Sequence, residues 1–163
     1  MREQIEYSLV KLFLWLAKSV PKSWVYGLMK GLTLLVYRAD KKRRTLTMQN
    51  LTMAFPQKTS EEMKSLSKEV YIELSKTIAE ILLMFTGKFD IDAAVSNHEE
   101  AKEKLQAIAK QSPNGVIVVT AHFSNWELAA HFLAKNGLPM LAVGREGNNK
   151  RIDQNITIPF RNK

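Results

Sequence analysis

The sequence predicts an α/β chain: N-terminal membrane-associated helices, then a helical region, then the βαβ start of a mostly parallel sheet. Three observations carry that reading. The first 44 residues are both the most apolar and the most basic part of the chain. Between Met63 and Phe85, apolar residues recur at three- and four-residue steps. Beyond Ser112-Pro113-Asn114-Gly115, a strong turn signal, comes the continuous run Val116-Ile117-Val118-Val119-Thr120, the mark of a strand buried on both faces.

Taken in order, Ile5 to Val20 and Trp24 to Tyr37 read as two helices. Lys11, Lys18 and Lys30 interrupt them, so neither offers the 18 or so uncharged apolar residues of a simple membrane span. No small-residue cleavage site follows, and Glu3 and Glu6 precede the apolar run, which argues against a signal peptide. Residues 1–44 therefore read as basic, apolar membrane-anchoring helices on the cytoplasmic leaflet. Trp15, Trp24, Tyr26 and Tyr37 would sit at headgroup depth, and Lys41-Lys42-Arg43-Arg44 would face anionic lipid. The alternative is two amphipathic helices packed on a soluble core, with their charges solvated.

Leu46 to Phe55 reads as a short mixed segment ending at Pro56. Thr59 and Glu62 offer a capping box for a helix of about seven turns running to Gly87. Residues 90–110 read as a looser helical region. After the β-branched run, a helical pattern extends through Asn136-Gly137, and Pro139-Met140-Leu141-Ala142-Val143 reads as a second short strand. Strand, helix and strand in that order make a right-handed parallel unit, and His122 then lies just past the carboxyl end of a strand, where open α/β sheets bind ligands.

Composition narrows the partners. The formal charge is +8 over 163 residues, with ten basic and three acidic groups in residues 1–44 against 14 and 13 in the rest. A nucleic-acid surface would extend over the folded domain, so nucleic acid is not an expected partner; the weaker alternative is a basic peripheral protein using Arg38 to Arg44. The chain has no cysteine, hence no disulfide, thiolate metal site or thiol nucleophile. His98, His122 and His131 are too scattered to suggest a zinc site, and no metal is expected.

The chemistry resides in Ala121-His122-Phe123-Ser124-Asn125-Trp126-Glu127. A carboxylate five residues after a histidine, across a strand-to-helix turn, can orient the imidazole and stabilise its protonated form, so that it takes a proton from a hydroxyl. The spacing has a second explanation: Ser124 and Glu127 also fit a capping box.

The block HFSNWEL, after a β-branched run and a small residue, resembles the H-x-x-x-x-(D/E) block of the bacterial lipid A late acyltransferases (the lauroyl/myristoyl acyltransferase family). RRTLTMQNLTMAFP with SEEMKSLSKEVYIELSKTIAEIL looks like the same family's N-terminal region, and VGREGNNKRIDQNITIPFRNK is similar to a later block. The resemblance runs collinearly over essentially the whole chain. It implies an enzyme at the cytoplasmic face of the bacterial inner membrane, moving a fatty acyl group from acyl carrier protein, or from coenzyme A, to a hydroxyl of a lipid A precursor or related glycolipid. No cofactor is implied, because the thioester co-substrate is already activated. His122 would be the general base and Glu127 its orienting partner. Asn125, Trp126 and Arg145 would serve the substrate, Arg145 through its planar fork. Arg151 and Arg161 read as surface charges, although Arg161 matches a family arginine, and His131 reads as a packing or capping residue.

Relative to the family, residues 45–163 correspond to the N-terminal part of the acyltransferase domain, so the sheet is incomplete. A partner chain completing the fold, or a truncated and inactive chain, follows from that expectation. The alternative function is a non-catalytic, membrane-bound remnant or interaction module. Pro159 is expected to end the last helix early, before Arg161.

Overall fold

A computed structural model describes residues 1–121, 124–138, 141 and 147–162. The chain divides into two compact units, Val20–Glu80 and Met1–Ser19 with Ile81–Lys163, the division falling inside one long helix.

The first unit is built on α2 (Lys22–Ala39), α3 (Lys41–Ala54) and the first part of α4 (Ser60–Phe85). Val25, Met29 and Thr33 recur every fourth residue on α2 and are buried; Met63, Ser67, Tyr71, Ser75 and Ala79 do the same on α4. Tyr37 meets Tyr71 edge-on, with ring centroids 5.1 Å apart. The capping box at α4 forms as the spacing predicts. The Thr59 backbone N–H donates to Glu62 Oε2 at 2.8 Å, and the Glu62 N–H donates to Thr59 Oγ1 at 3.3 Å.

The stretch read as mixed is the helix α3. Asp40 caps it, accepting from the Arg43 N–H at 2.9 Å. Four cations in a first turn oppose the helix dipole, which is why the pattern did not read as a helix start. The same cations are used locally: Arg44 Nη1 donates to the Tyr37 carbonyl at 2.8 Å, and Arg43 lies 3.3 Å from Asp40.

In the second unit, α1 (Arg2–Ser19) stops before Pro21, which disfavours helix at the residue preceding it. Lys88 Nζ donates to the carbonyls of Ala17 and Lys18 at 3.2 and 2.8 Å, a cation at a helix C-terminus. Helix α4 closes on Gly87 (φ +70°), where the Lys88 N–H returns to the Leu83 carbonyl at 2.9 Å. Helix α5 (His98–Gln111) follows, then α6 (Trp126–Lys135), which closes in the same way on Gly137 (φ +88°), the Leu138 N–H reaching the Leu133 carbonyl at 3.2 Å. The chain ends in a short α7 (Lys150–Ile152), a π-helical turn over Asp153–Thr157, and α8 (Ile158–Arg161).

Three expectations are corrected. The βαβ start of a parallel sheet is not seen: the described residues contain no strand. The turn forms at 112–115, with the Gly115 N–H on the Ser112 carbonyl at 3.0 Å, but residues 116–120 are irregular. Ile117 is 92% exposed and Val119 89% exposed, so among the described residues this β-branched run has neither a ladder partner nor a face to pack on. Of the second expected strand, Pro139, Met140, Ala142 and Val143 lie outside the described residues; Leu141 belongs to no element.

The N-terminal membrane helices are corrected as well. Both helices form, yet no helix among the described residues is long and apolar enough to cross a membrane. Lysines interrupt each apolar run, and α2 commits Val25, Met29 and Thr33 to the protein interior. Pro159 does not end the last helix. The π turn brings the chain through it: the Ile158 N–H reaches back five residues to Asp153, and α8 continues to Arg161.

Candidate active site

The start of α6 carries the candidate chemistry, and its local structure assigns each polar side chain a task. Ser124 takes a left-handed backbone conformation (φ +54°), rare for a residue with a side chain. Asn125, buried, is the N-cap: its Oδ1 accepts from the Leu128 N–H at 3.0 Å, while its amide nitrogen lies 3.9 Å from Met84 Sδ. Trp126 opens the helix with its ring partly exposed.

Because Asn125 caps the helix, Glu127 is not spent on capping. It is 8% exposed, and its carboxylate is paired with Arg161 from α8. Arg161 Nε donates to Oε2 at 3.3 Å and Nη2 donates to Oε1, so both carboxylate oxygens are engaged by the planar fork. The hydrogen bond to Glu127, more than the charge itself, raises the Arg161 guanidinium further above its ordinary value. A carboxylate held this way keeps lone pairs for another donor, such as an imidazole N–H.

One turn along α6, His131 shares the Glu127 face. Its ring lies 4.3 Å from that of Phe160, and Phe160 stacks on Phe85 at 3.8 Å. Burial pushes the His131 imidazole below its ordinary value; Glu127 pulls it up and Arg161 pushes it down. The opposite face of α6 presents Ala129, Phe132 and Leu133 to an open apolar cleft of about 440 Å³ against Leu105 of α5.

The chain leading to Arg161 is tied down by two residues that sequence reading passed over. Asn149, buried, caps α7 by accepting from the Arg151 and Ile152 N–H groups at 3.1 and 3.3 Å. Its amide donates to the Glu3 carbonyl and to Glu6 Oε2 of α1 at 2.9 and 3.0 Å. The Gly147 N–H donates to Asp153 Oδ2 at 2.5 Å, and any Cβ at 147 would come within 2.7 Å of the same carboxylate. Only their membership of the later sequence block hinted at either.

Of the sequence-predicted residues, Glu127, Asn125 and Trp126 are consecutive at the head of α6. His122 and Arg145 lie outside the described residues. Arg161, read as a surface charge, is the partner of Glu127; its match to a family arginine was the signal that could have found it. No group of His, Cys, Asp or Glu among the described residues could hold a metal ion.

The family of bacterial lipid A biosynthesis acyltransferases matches residues 1–162. The chain belongs to that family. No curated protein and no solved structure matches it. Membership supports acyl transfer in lipid A biosynthesis as the chemistry of this acyltransferase-family chain, with a lipid A precursor and an acyl donor as the substrate classes.

Proposed function

We propose that the chain transfers a fatty acyl group from an acyl carrier protein or coenzyme A thioester to a hydroxyl of a lipid A precursor or related glycolipid. His122 is the general base and Glu127 the residue that orients it. The single observation supporting this assignment is Glu127 itself: a buried glutamate at the head of α6, five residues after His122, with both oxygens held by Arg161.

The acceptor hydroxyl gives its proton to His122 as its oxygen attacks the thioester carbonyl. The tetrahedral adduct collapses, the C–S bond breaks, and the departing thiolate takes up the proton. An ester and a free thiol result, with no cofactor and no enzyme-bound intermediate. Arg161 holds the Glu127 carboxylate in one orientation, so the imidazole it receives does not reorient during transfer. Trp126 and Arg145 are assigned to substrate contact, and Asn125 shapes the block by capping α6. A lipid acceptor and a soluble thioester donor meet at a bilayer surface, so the proposed location is the cytoplasmic face of the inner membrane.

The test is acyl transfer by the purified, folded chain, using an acyl–acyl carrier protein thioester and a detergent-dispersed lipid A precursor. Transfer that His122→Ala abolishes is the expected result. No transfer by wild-type chain sinks the reading of an unassisted enzyme; transfer that survives in His122→Ala refutes the base assignment.

A further inference from the structure

Arg161 has a weak hold of its own. It ends a four-residue helix, too short to persist without tertiary support, and its side chain is 49% exposed. Something else must present it to Glu127. Its neighbour Phe160 is 7% exposed, stacked on Phe85 at the end of α4 and touching the His131 ring on α6.

From this arrangement we propose that Phe160, clasped by Phe85 and His131, is a positioning residue that seats Arg161 on the Glu127 carboxylate, with His131 acting through it. The register makes the link. His131 and Glu127 are one turn apart on α6, and Phe160 and Arg161 are consecutive on α8, so a ring seated on His131 aligns the following guanidinium with the carboxylate one turn back. The π turn over Asp153–Thr157 sets the approach. It adds one residue to a helical turn, and each residue rotates the later side chains by about 100°, so an uninterrupted α-helix would turn Phe160 and Arg161 away. Pro159, lacking an N–H, suits a segment where the ordinary ladder is already broken. The role of His131 here is that of a ring, not of a proton carrier. Among the described residues, the charged groups that act on it are Glu127 on its own helix and Arg161 on α8.

The catalytic side of this proposal rests on the acyltransferase reading above; the positioning side does not. Both are read on the full chain. The Arg161 Nε–H signal in the nitrogen-15 NMR spectrum reports the pair directly, and dispersed backbone amides report folding. Wild type and His131→Phe are expected to show a hydrogen-bonded, slowly exchanging Arg161 Nε–H; Phe160→Ala and His131→Ala are expected to lose it while remaining folded. Phe160→Leu stands in should Phe160→Ala unfold. A signal absent from wild type, or retained in both His131→Ala and the folded Phe160 variant, overturns the proposal. In the acyl-transfer assay, His131→Ala is expected to lower kcat on the order of 10²-fold with KM little changed, as for an ångström-scale misplacement, and His131→Phe to restore it. A His131→Phe protein that keeps the Arg161 signal but loses activity refutes the ring-only role of His131. If wild type transfers no acyl group, the reading of an unassisted enzyme fails, and the Arg161 signal alone decides the positioning.

Discussion

Helices α4 and α6 begin with the same local pattern, a hydroxyl residue followed three positions later by glutamate, and the structure uses the two glutamates in opposite ways. At α4, Thr59 and Glu62 exchange hydrogen bonds within one turn, and Lys58 lies 3.6 Å away on the surface. Among the described residues, the hydrogen bonds and ion pair of Glu62 are all local. At α6, Asn125 takes over the cap, and Glu127 is buried against Arg161, 34 residues away. A capping motif therefore reports where a helix starts, but not what its glutamate is for. The deciding factor is whether a distant cation is brought to it.

The largest expected effect separates the two glutamates by activity. Glu127→Gln is expected to lower the rate of acyl transfer on the order of 10²-fold or more, the scale of losing a positioned acid–base system, whereas Glu62→Gln leaves it unchanged. Equal losses in a transfer assay would break the contrast. Next comes stability. Arg161→Ala leaves a buried carboxylate without its partner and is expected to cost about 2 kcal/mol in urea unfolding, while Lys58→Ala, at an exposed pair, produces no measurable change. A third comparison concerns which residue caps α6. Asn125→Ala is expected to cost about 1 kcal/mol, as for loss of an N-cap, and Ser124→Ala close to nothing. The reverse order would restore Ser124 as the cap.

The smallest effect lies in pH dependence. Burial holds the His131 imidazole below its ordinary value, so the unfolded chain binds a proton there more readily than the folded one. Stability is expected to fall as pH drops through about 6.5 toward the depressed folded value, and His131→Phe should flatten that limb. The Glu62 carboxyl is held below its ordinary value, chiefly by the Thr59 backbone N–H. Its contribution is fully present above about 4.3 and is lost only as pH falls through the lowered folded value. Thermal melts of wild type and His131→Phe from about pH 2 to about pH 8 separate the two limbs.

Local information suffices for some elements and not for others. Helix α4 was legible from its cap to its glycine stop, because Thr59, Glu62, the apolar repeat and Gly87 act within a few residues of each other. Helix α3 was not, because its first turn carries cations that a helix start disfavours, and Asp40 offsets them through one side-chain bond. The run Val116 to Thr120 carried strong strand propensity, yet propensity for a pleated surface has effect only where a neighbouring strand satisfies the backbone; among the described residues none does. At the site, the HFSNWE block pointed to Glu127 by resemblance, and a family match singled out Arg161, but nothing along the chain said that the two would pair.

By itself, the sequence determined the family, the helices with clean caps and stops, and the position of the α6 head. These depend on interactions between residues close along the chain or on a collinear block pattern. Tertiary structure alone decided that Arg161 closes on Glu127 and that Phe160 is held between Phe85 and His131. The physical reason is that a hydrogen bond or a ring contact between distant segments depends on where backbones are brought together, and residue spacing along one segment carries no record of that.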